Sequence, residues 1–503
     1  MKGAERMIAI DFVVMRFLMN GGLVMVDSNK TSGTAATSME MFGRRIIYST
    51  ESAITASNVT AVVEQAYMDH CKNRSEIQYL WDYYKGKQPG LNRKREIRPE
   101  LSRPIVENRA NSITAFKVGY IAGKPLQYIS SVGGNEVSDE VKKLNDLMRM
   151  IGKQTKDREL IEWEMICGLG YRYVVQNLNR RIPSPFNLFT LDPRSTFVIR
   201  ANDYSKRVLA GVNYVTDEKD QKITFTVYTE DSVYTFVKGS GRPQREVNKF
   251  GVIPIIEYQA NSARQGCFEI VLSLLDAINN FDSCRLEAVE AFCQSLMVLY
   301  NCQLDDGVTA NDIRQAGMIM LKSVGDNKAD VKIIAEQLDQ AQNQNLKDDL
   351  YNTVLQIVGV PSQSSAGTSD SSNNGAVVLK NGWEGAETRA QDFETMFKLP
   401  EIETLQVVSI LCKGIADIAF DPANIEVKFT RRNYENLLSK SQTLTTMLGN
   451  DKIHPKCAYE ASGLFVDTEE AYLQGMAWYK QQKAEAEKKQ EQILQQKPDV
   501  TAE

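Results

Sequence analysis

CFEIVLSLLDAINNFDSCRLEAVEAFCQSL, residues 267–296, sets Val271, Leu275, Ile278, Phe281, Cys284, Ala288, Phe292 and Leu296 at steps of three and four. Side chains spaced in this way fall on one face of a helix, which must then lie against a partner. A second helix is expected over 335–358. It is apolar at its end (Leu346, Leu350, Val354, Ile357) but polar through QLDQAQNQN, 337–345. Between the two, MIMLKS (318–323) and VKIIAE (331–336) flank the turn-rich GDNKAD, which suits a hairpin-like strand pair. GVPSQSSAGTSDSSNNGA (359–376) follows, then a third helix through Trp383 and Phe393. Two long antiparallel helices with a small tip and a polar loop make a poor pocket. They make a good lining for a hole between subunits.

At 503 residues the chain exceeds what one core usually supports, so two or more sub-domains are expected. Its 43% hydrophobic and 24% charged residues are those of an ordinary globular protein. A net charge of −5 argues against a broad grip on nucleic acid, though not against letting DNA pass. The eight cysteines (71, 167, 267, 284, 293, 302, 412, 457) form no C-x-x-C pair and read as reduced core thiols of a cytosolic protein. Two histidines, His70 and His454, leave little room for a zinc site or a histidine-based triad.

Residues 7–26 are apolar, but Asp11, Arg16 and Gly21-Gly22 interrupt them, and no membrane role is expected. They read as a dispensable arm or an extension ahead of a start at Met25. Residues 27–57, rich in Ser, Thr and Ala without a period, extend the expected mobile arm to 1–57. A helix is expected over 59–84, stopped by GKQPG (86–90), and further helices over about 139–151 and 155–167. The basic run NRKREIRPELSRP (92–104) lacks interleaved aromatics, so it reads as a solvated loop or a contact to acidic neighbours. GYIAGKP (119–125) has three residues between its glycines and Pro125 after the lysine, so it is no phosphate loop. Gly119 and Gly123 read as helix-stop and turn glycines. From 170 to 258 the alternation suits one antiparallel sheet with a wet face, and Pro254 suits an edge or a strand start. Pro400 should kink the third long helix. IEVKFT (425–430) reads as a strand, and the rest as helices fading into the charged KQQKAEAEKKQEQILQQK.

No catalytic, cofactor or metal site emerges. Nucleophile-elbow, zincin, Walker and dinucleotide motifs are missing. Asp305-Asp306 before Gly307 reads as a turn, and Asp348-Asp349 as surface or subunit-contact charges. Trp81, Tyr83 and Tyr84 read as core. Such a chain acts through shape and assembly, and is not expected to be an enzyme.

YYKGKQP (83–89), NRANSITAFKVGYIAGKPLQY (108–128), GLGYRYVV (168–175) and LDPRSTFVI (191–199) resemble portal proteins of long-tailed bacteriophages, of the type found in Bacillus-infecting siphoviruses. The likeness runs on through VIPIIEY, LLDAINNFDS, the GVP-plus-polar loop and IEVKFTRR, and spans roughly residues 58–480. The resemblance implies an α+β portal fold: a mixed α/β wing, a two-helix stem, a small α/β clip, a long kinked helix and a helical crown. Mapped onto this chain, the wing is 58–266 and 377–432, the stem helices 267–295 and 335–358, and the clip 296–334. The tunnel loop is 359–376, the crown 433–480 and the charged tail 481–503. It implies a ring, usually of twelve subunits, at one capsid vertex. Double-stranded DNA would pass through it, with the large terminase subunit, scaffolding and major capsid proteins and the head–tail adaptor as partners. Assembly would take place in the host cytoplasm.

The implied tunnel loop carries Ser362, Gln363, Ser364, Ser365, Thr368, Ser369, Ser371, Ser372, Asn373 and Asn374. The implied stem face carries Gln337, Gln340, Gln342 and Gln344. The implied clip contacts are Asp305, Asp306, Asp312, Arg314, Lys322, Asp326 and Lys328. Few charges on loop and stem suit a conduit, because each neutralised phosphate steepens salt-dependent affinity by about 0.9 log units per decade of salt. Another neck or minor head protein, or a nucleic-acid-processing enzyme, is the alternative reading.

Overall fold

The computed structural model describes residues 43–93, 102–131, 135–179, 181–217, 219–293, 296–300, 302–303, 322–323, 330–334, 340–361, 382–416, 418–431, 437–465 and 468–495. The class is α+β, as expected. β1 (Tyr48–Ser49) precedes α1 (Val59–Tyr84), α2 (Arg109–Ile121), β2 (Gln127–Ser130), α3 (Asn135–Met150) and α4 (Lys153–Cys167). Then come β3 (Leu169–Gln176), β4 (Phe186–Leu191), β5 (Thr196–Ala201), β6 (Val208–Thr216), β7 (Ile223–Tyr228), β8 (Ser232–Val237), β9 (Gln244–Val247) and β10 (Ile255–Gln259). A short 3-10 turn leads into α5 (Leu272–Cys293), β11 (Leu296–Tyr300), β12 (Cys302–Gln303), β13 (Lys322–Ser323), β14 (Asp330–Ile334) and α6 (Gln340–Val358). The chain closes with α7 (Trp383–Ala416), β15 (Ile425–Lys428), α8 (Leu437–Leu448), α9 (Pro455–Ser462) and α10 (Thr468–Gln495).

The α1 helix buries Val59, Val63, Ala66, Tyr67, His70, Asn73, Ile77, Leu80 and Tyr83, a continuous stripe at helical spacing. Its first half covers a six-stranded sheet ordered β1-β5-β6-β7-β8-β9. Tyr67 meets Tyr214 and Phe225 edge-on at 5.2 and 5.3 Å, and His70 stacks on Phe197 at 4.7 Å. Burial holds His70 at a pKa of about 4, so it is a neutral core residue.

The single sheet expected over 170–258 divides in two, because β10, β3 and β4 form their own three-stranded antiparallel sheet. One of its faces lies on the larger sheet. There Tyr173 and Tyr228 hydroxyls meet at 3.1 Å, Arg200 pairs with Glu257 at 3.1 Å, and a Cβ added to Gly211 would strike Ile255. The other face meets α4 and α7, through Gly170 against Leu160 and Arg172 against Asp157 and Glu401. Covered on both sides, β3 has no wet face. Pro254 precedes β10 and its carbonyl accepts from the Val174 N–H, in line with a strand start.

An ion-pair cluster pins α7 where it passes Pro400. Glu401 accepts from Tyr128 at 2.5 Å and Tyr258 at 2.6 Å, and lies 3.0 Å from Lys153 and 3.4 Å from Arg172. Asp157 lies 2.6 Å from both cations. Burial opposes the Glu401 charge, but Lys153 and Arg172 outweigh it and hold the carboxyl at a pKa of about 2. Two cations face two anions, which is how such charges survive without water. The Glu164 carboxyl beside them has no hydrogen-bond partner among the described residues, and burial pushes its pKa well up. The helix runs on past Pro400, which supplies no N–H, from Trp383 to Ala416.

Several expectations are corrected. Residues 43–57 are not part of a mobile arm. Arg44 is buried against Glu269 at 2.5 Å, Ile47 joins the core, and Tyr48–Ser49 pairs in parallel with Arg200–Ala201. Residues 1–42, the apolar run included, lie outside the described residues. The described parts of the segments 318–323 and 331–336, residues 322–323 and 331–334, do not pair with each other. β14 pairs antiparallel with β11 and β13 with β12, so each returning strand finds the outgoing chain just past α5. Leu296 therefore opens a strand and is not the last residue of a helical stripe. Gly119 lies inside α2, whereas Gly123 is in the bend that follows it. The charged tail remains helical to Gln495.

Candidate functional site

The α5–α6 hairpin is clamped at its base by a polar ladder. Asn279, Ser283 and Glu287, four residues apart on α5, accept from the backbone N–H groups of Glu107, Ile105 and Arg103 at 3.1, 3.0 and 3.2 Å. Four helical residues rise about 6 Å, close to the rise of two extended residues, so donors and acceptors stay in step as the two segments run antiparallel. All three acceptors are buried. Asn279 also donates to Gln88 at 2.6 Å, and Arg93 lies 3.5 Å from Glu287. One turn earlier, Tyr83 donates to Asp276 at 2.8 Å. Burial raises both pKa values, keeping the tyrosine a neutral donor.

The two helices are tied by side chains pointing across the hairpin. Lys347 on α6 bridges Asp282 on α5, at 2.9 Å, and Glu107 of the strap. Arg109 pairs with Glu107 at 2.5 Å and lies 3.9 Å over the Tyr351 ring. Burial works against ionised Glu107, yet hydrogen bonds from Lys347 and Arg109 hold its pKa at about 2. Farther out, Arg285 donates to Gln344 at 2.9 Å, and Gln344 donates to Asp348 at 2.9 Å. Val354, Leu355 and Val358 bury the base of α6, whereas Gln342, Gln344, Asp348 and Asp349 are exposed.

Among the described side chains of the apolar stripe read on 267–296, Val271, Leu275 and Ile278 are buried, Phe281 and Ala288 half-buried and Cys284 exposed. Beyond Phe281 the buried face is the polar row Ser283 and Glu287, while Cys284, Leu286 and Val289 are exposed. The signal was present as polar residues at steps of four, but its partner is backbone from 103–107, which carries no side-chain pattern.

Of the stem residues expected to face a channel, Gln342 and Gln344 are exposed on α6, Gln340 opens that helix, and Gln337 lies outside the described residues. Lys322 stands in β13. Asp305, Asp306, Asp312, Arg314, Asp326 and Lys328 lie outside the described residues, as does the whole loop from Ser362 to Asn374. Among the described residues no cluster could hold a metal ion, and no helix is long and apolar enough to cross a membrane. Burial raises the thiol pKa values of Cys167 and Cys412 to about 12. Of the basic run, Arg93 pairs with Glu287 within the chain, and Arg103 reaches the same carboxylate through its backbone N–H.

A sequence model of the family described as "Phage portal protein, SPP1 Gp6-like" matches residues 65–496. The chain belongs to the phage portal protein family. No curated protein matches it. Among solved structures, a chain of "Neck of empty GTA particle computed with C6 symmetry" shares 15% identity at a TM-score of 0.41. It covers 72% of this chain and 96% of its own length, a likeness too loose to build on. Family membership makes this a structural portal or connector protein that assembles as an oligomeric ring and belongs with the phage particle.

Proposed function

We propose that the ring forms the DNA channel at one capsid vertex, serving first genome packaging, then neck attachment, and finally ejection. The observation that carries this reading is the strapped α5–α6 hairpin within a portal-family chain. Its base is fixed by half-buried ion pairs and the 103–107 strap, while its outer part exposes apolar Leu286 and Val289 on α5 and polar Gln342 and Gln344 on α6. An apolar edge suits side-by-side packing in a closed heterologous ring. An amide-rich edge suits passage of a polyanion that must not be held.

In this reading 267–295 and 335–358 are the stem. The segment 296–334 is the clip, with Asp305, Asp306, Asp312, Arg314, Lys322, Asp326 and Lys328 offered to terminase and then to the head–tail adaptor. The wing is 58–266 with 377–432, the crown 433–480, and the tunnel loop 359–376 lies at the constriction. Twelve subunits are proposed, with major capsid and scaffolding proteins as partners during assembly in the host cytoplasm. The chain supplies no chemistry of its own: terminase hydrolyses ATP while the loops shift with the advancing DNA. Shortening 363–373 is expected to leave rings intact and to lower the DNA packaged per particle. Packaging at the wild-type level by that deletion would remove the loop from the mechanism.

A further inference from the structure

Residues 43–49 lie along the body of the chain and meet it at a joint of four charges. Arg44 is buried, 3.3 Å from Glu76 on α1 and 2.5 Å from Glu269, the first residue of the 3-10 turn that leads into α5. Arg45 reaches the other Glu76 oxygen at 2.7 Å. Both positive charges of this joint come from the N-terminal segment, and both negative charges come from the body. The backbone is held as closely. The Arg44 N–H donates to the Arg264 carbonyl at 3.0 Å, and Arg45 exchanges hydrogen bonds with the Asn73 side chain at 2.9 and 2.8 Å. Gly43, in the left-handed conformation, allows this approach, since a Cβ there would stand 1.9 Å from the Ala263 carbonyl oxygen.

With this segment withdrawn, Glu76 and Glu269 would share the joint without the guanidinium that now lies between them. Burial already pushes the Glu269 carboxyl up, Arg44 draws it down, and Glu76 adds to the rise. Buried acids stripped of their partner are costly, and two of them repel. The segment itself gives up little on leaving. Its strand, β1, is two residues at the sheet edge, and Ile47 is its side chain in the apolar core. We propose that residues 43–49 are a charge latch on the α5–α6 hairpin. Seated, they neutralise Glu76 and Glu269 and close the turn into α5 against α1. Withdrawn, they free that turn, so that latch and turn open together while the sheet stays folded. A single chain carries every group involved, so the latch does not depend on the ring reading.

Hydrogen–deuterium exchange of the full-length protein at neutral pH, read by mass spectrometry, tests the latch. In the wild type, peptides over 43–49 and 264–272 should exchange at one common rate, faster than β6 and β7. Arg44→Met should speed both peptides by about tenfold or more and leave β6 and β7 unchanged. Adding Glu269→Gln should bring the 264–272 peptide back to within about threefold of wild type, because the repelling pair is then gone. Unrelated rates in the two segments, or a 43–49 peptide as slow as β6 and β7, would overturn the proposal. A double variant as open as Arg44→Met would overturn it too, since lost packing then explains the opening. Where Arg44→Met alone does not fold, recovery of folding in the double variant supports the latch, and failure of both variants overturns it.

Discussion

Replacing Glu401 by Gln keeps the shape of the side chain and one of the two oxygens that accept from Tyr128 and Tyr258, but removes the charge that balances Lys153 and Arg172. Asp157 then faces two buried cations alone. The Glu401 carboxyl stands at about 2 in the folded protein against 4.5 for an ordinary glutamate, because Lys153 and Arg172 overcome the opposing effect of burial. At about 1.36 kcal/mol per pH unit, that difference corresponds to about 3 kcal/mol. The figure matches the 3–5 kcal/mol expected roughly for stripping one partner from a buried pair. A depressed folded pKa contributes stability that is present above pH 4.5 and lost as the pH falls towards 2. Glu401→Gln should therefore lower the melting temperature of dilute protein by about 3 °C at pH 7. The gap should narrow steadily below pH 4.5, as followed by circular dichroism across a pH series. A gap that is absent at pH 7, or that stays constant down to pH 2.5, would refute the electrostatic account of how α7 is pinned.

Glu164, buried without a hydrogen-bond partner among the described residues and with a raised pKa, has the opposite sign: it destabilises as pH rises above the ordinary glutamate range. Glu164→Met should stabilise the fold by about 1 kcal/mol or more at pH 7, with the gain fading in acid, as read by denaturant titration at the two pH values. Asn279→Ala should cost about 1–3 kcal/mol by leaving the Glu107 N–H unmet, and should speed protease cleavage near 102–108 before the rest of the chain. Gly168→Ala forces a left-handed backbone and puts a Cβ 2.3 Å from the Arg264 carbonyl oxygen. A loss of more than about 2 kcal/mol is expected in chemical denaturation.

Where local pattern and tertiary partner agreed, the sequence was readable. The stripe on 59–84 fell on a sheet and formed the expected helix, and IEVKFT contained β15, at 425–428. Legibility failed where the partner lay far along the chain. Residues 43–57 look featureless, yet Arg44 finds Glu269 and Tyr48–Ser49 finds the edge of β5. Alternation in β3 and β10 resembles that of a one-sided sheet, because Arg172 and Glu257 on those strands are polar yet buried in ion pairs. On α5 the polar row Asn279, Ser283 and Glu287 was not legible as a contact, since side chains meeting backbone N–H groups leave no complementary pattern to read. The family resemblance rested on ordered motifs, and the match over 65–496 bears it out. It extends to no individual residue of the loop or the clip.

The central claim, that this chain closes into a ring around a DNA-sized hole, is tested most directly by electron microscopy of the purified full-length protein. The account predicts closed rings with a central channel and roughly twelve-fold symmetry. Protein that remains a compact monomer across concentration and salt, with no ring in any field, would contradict it.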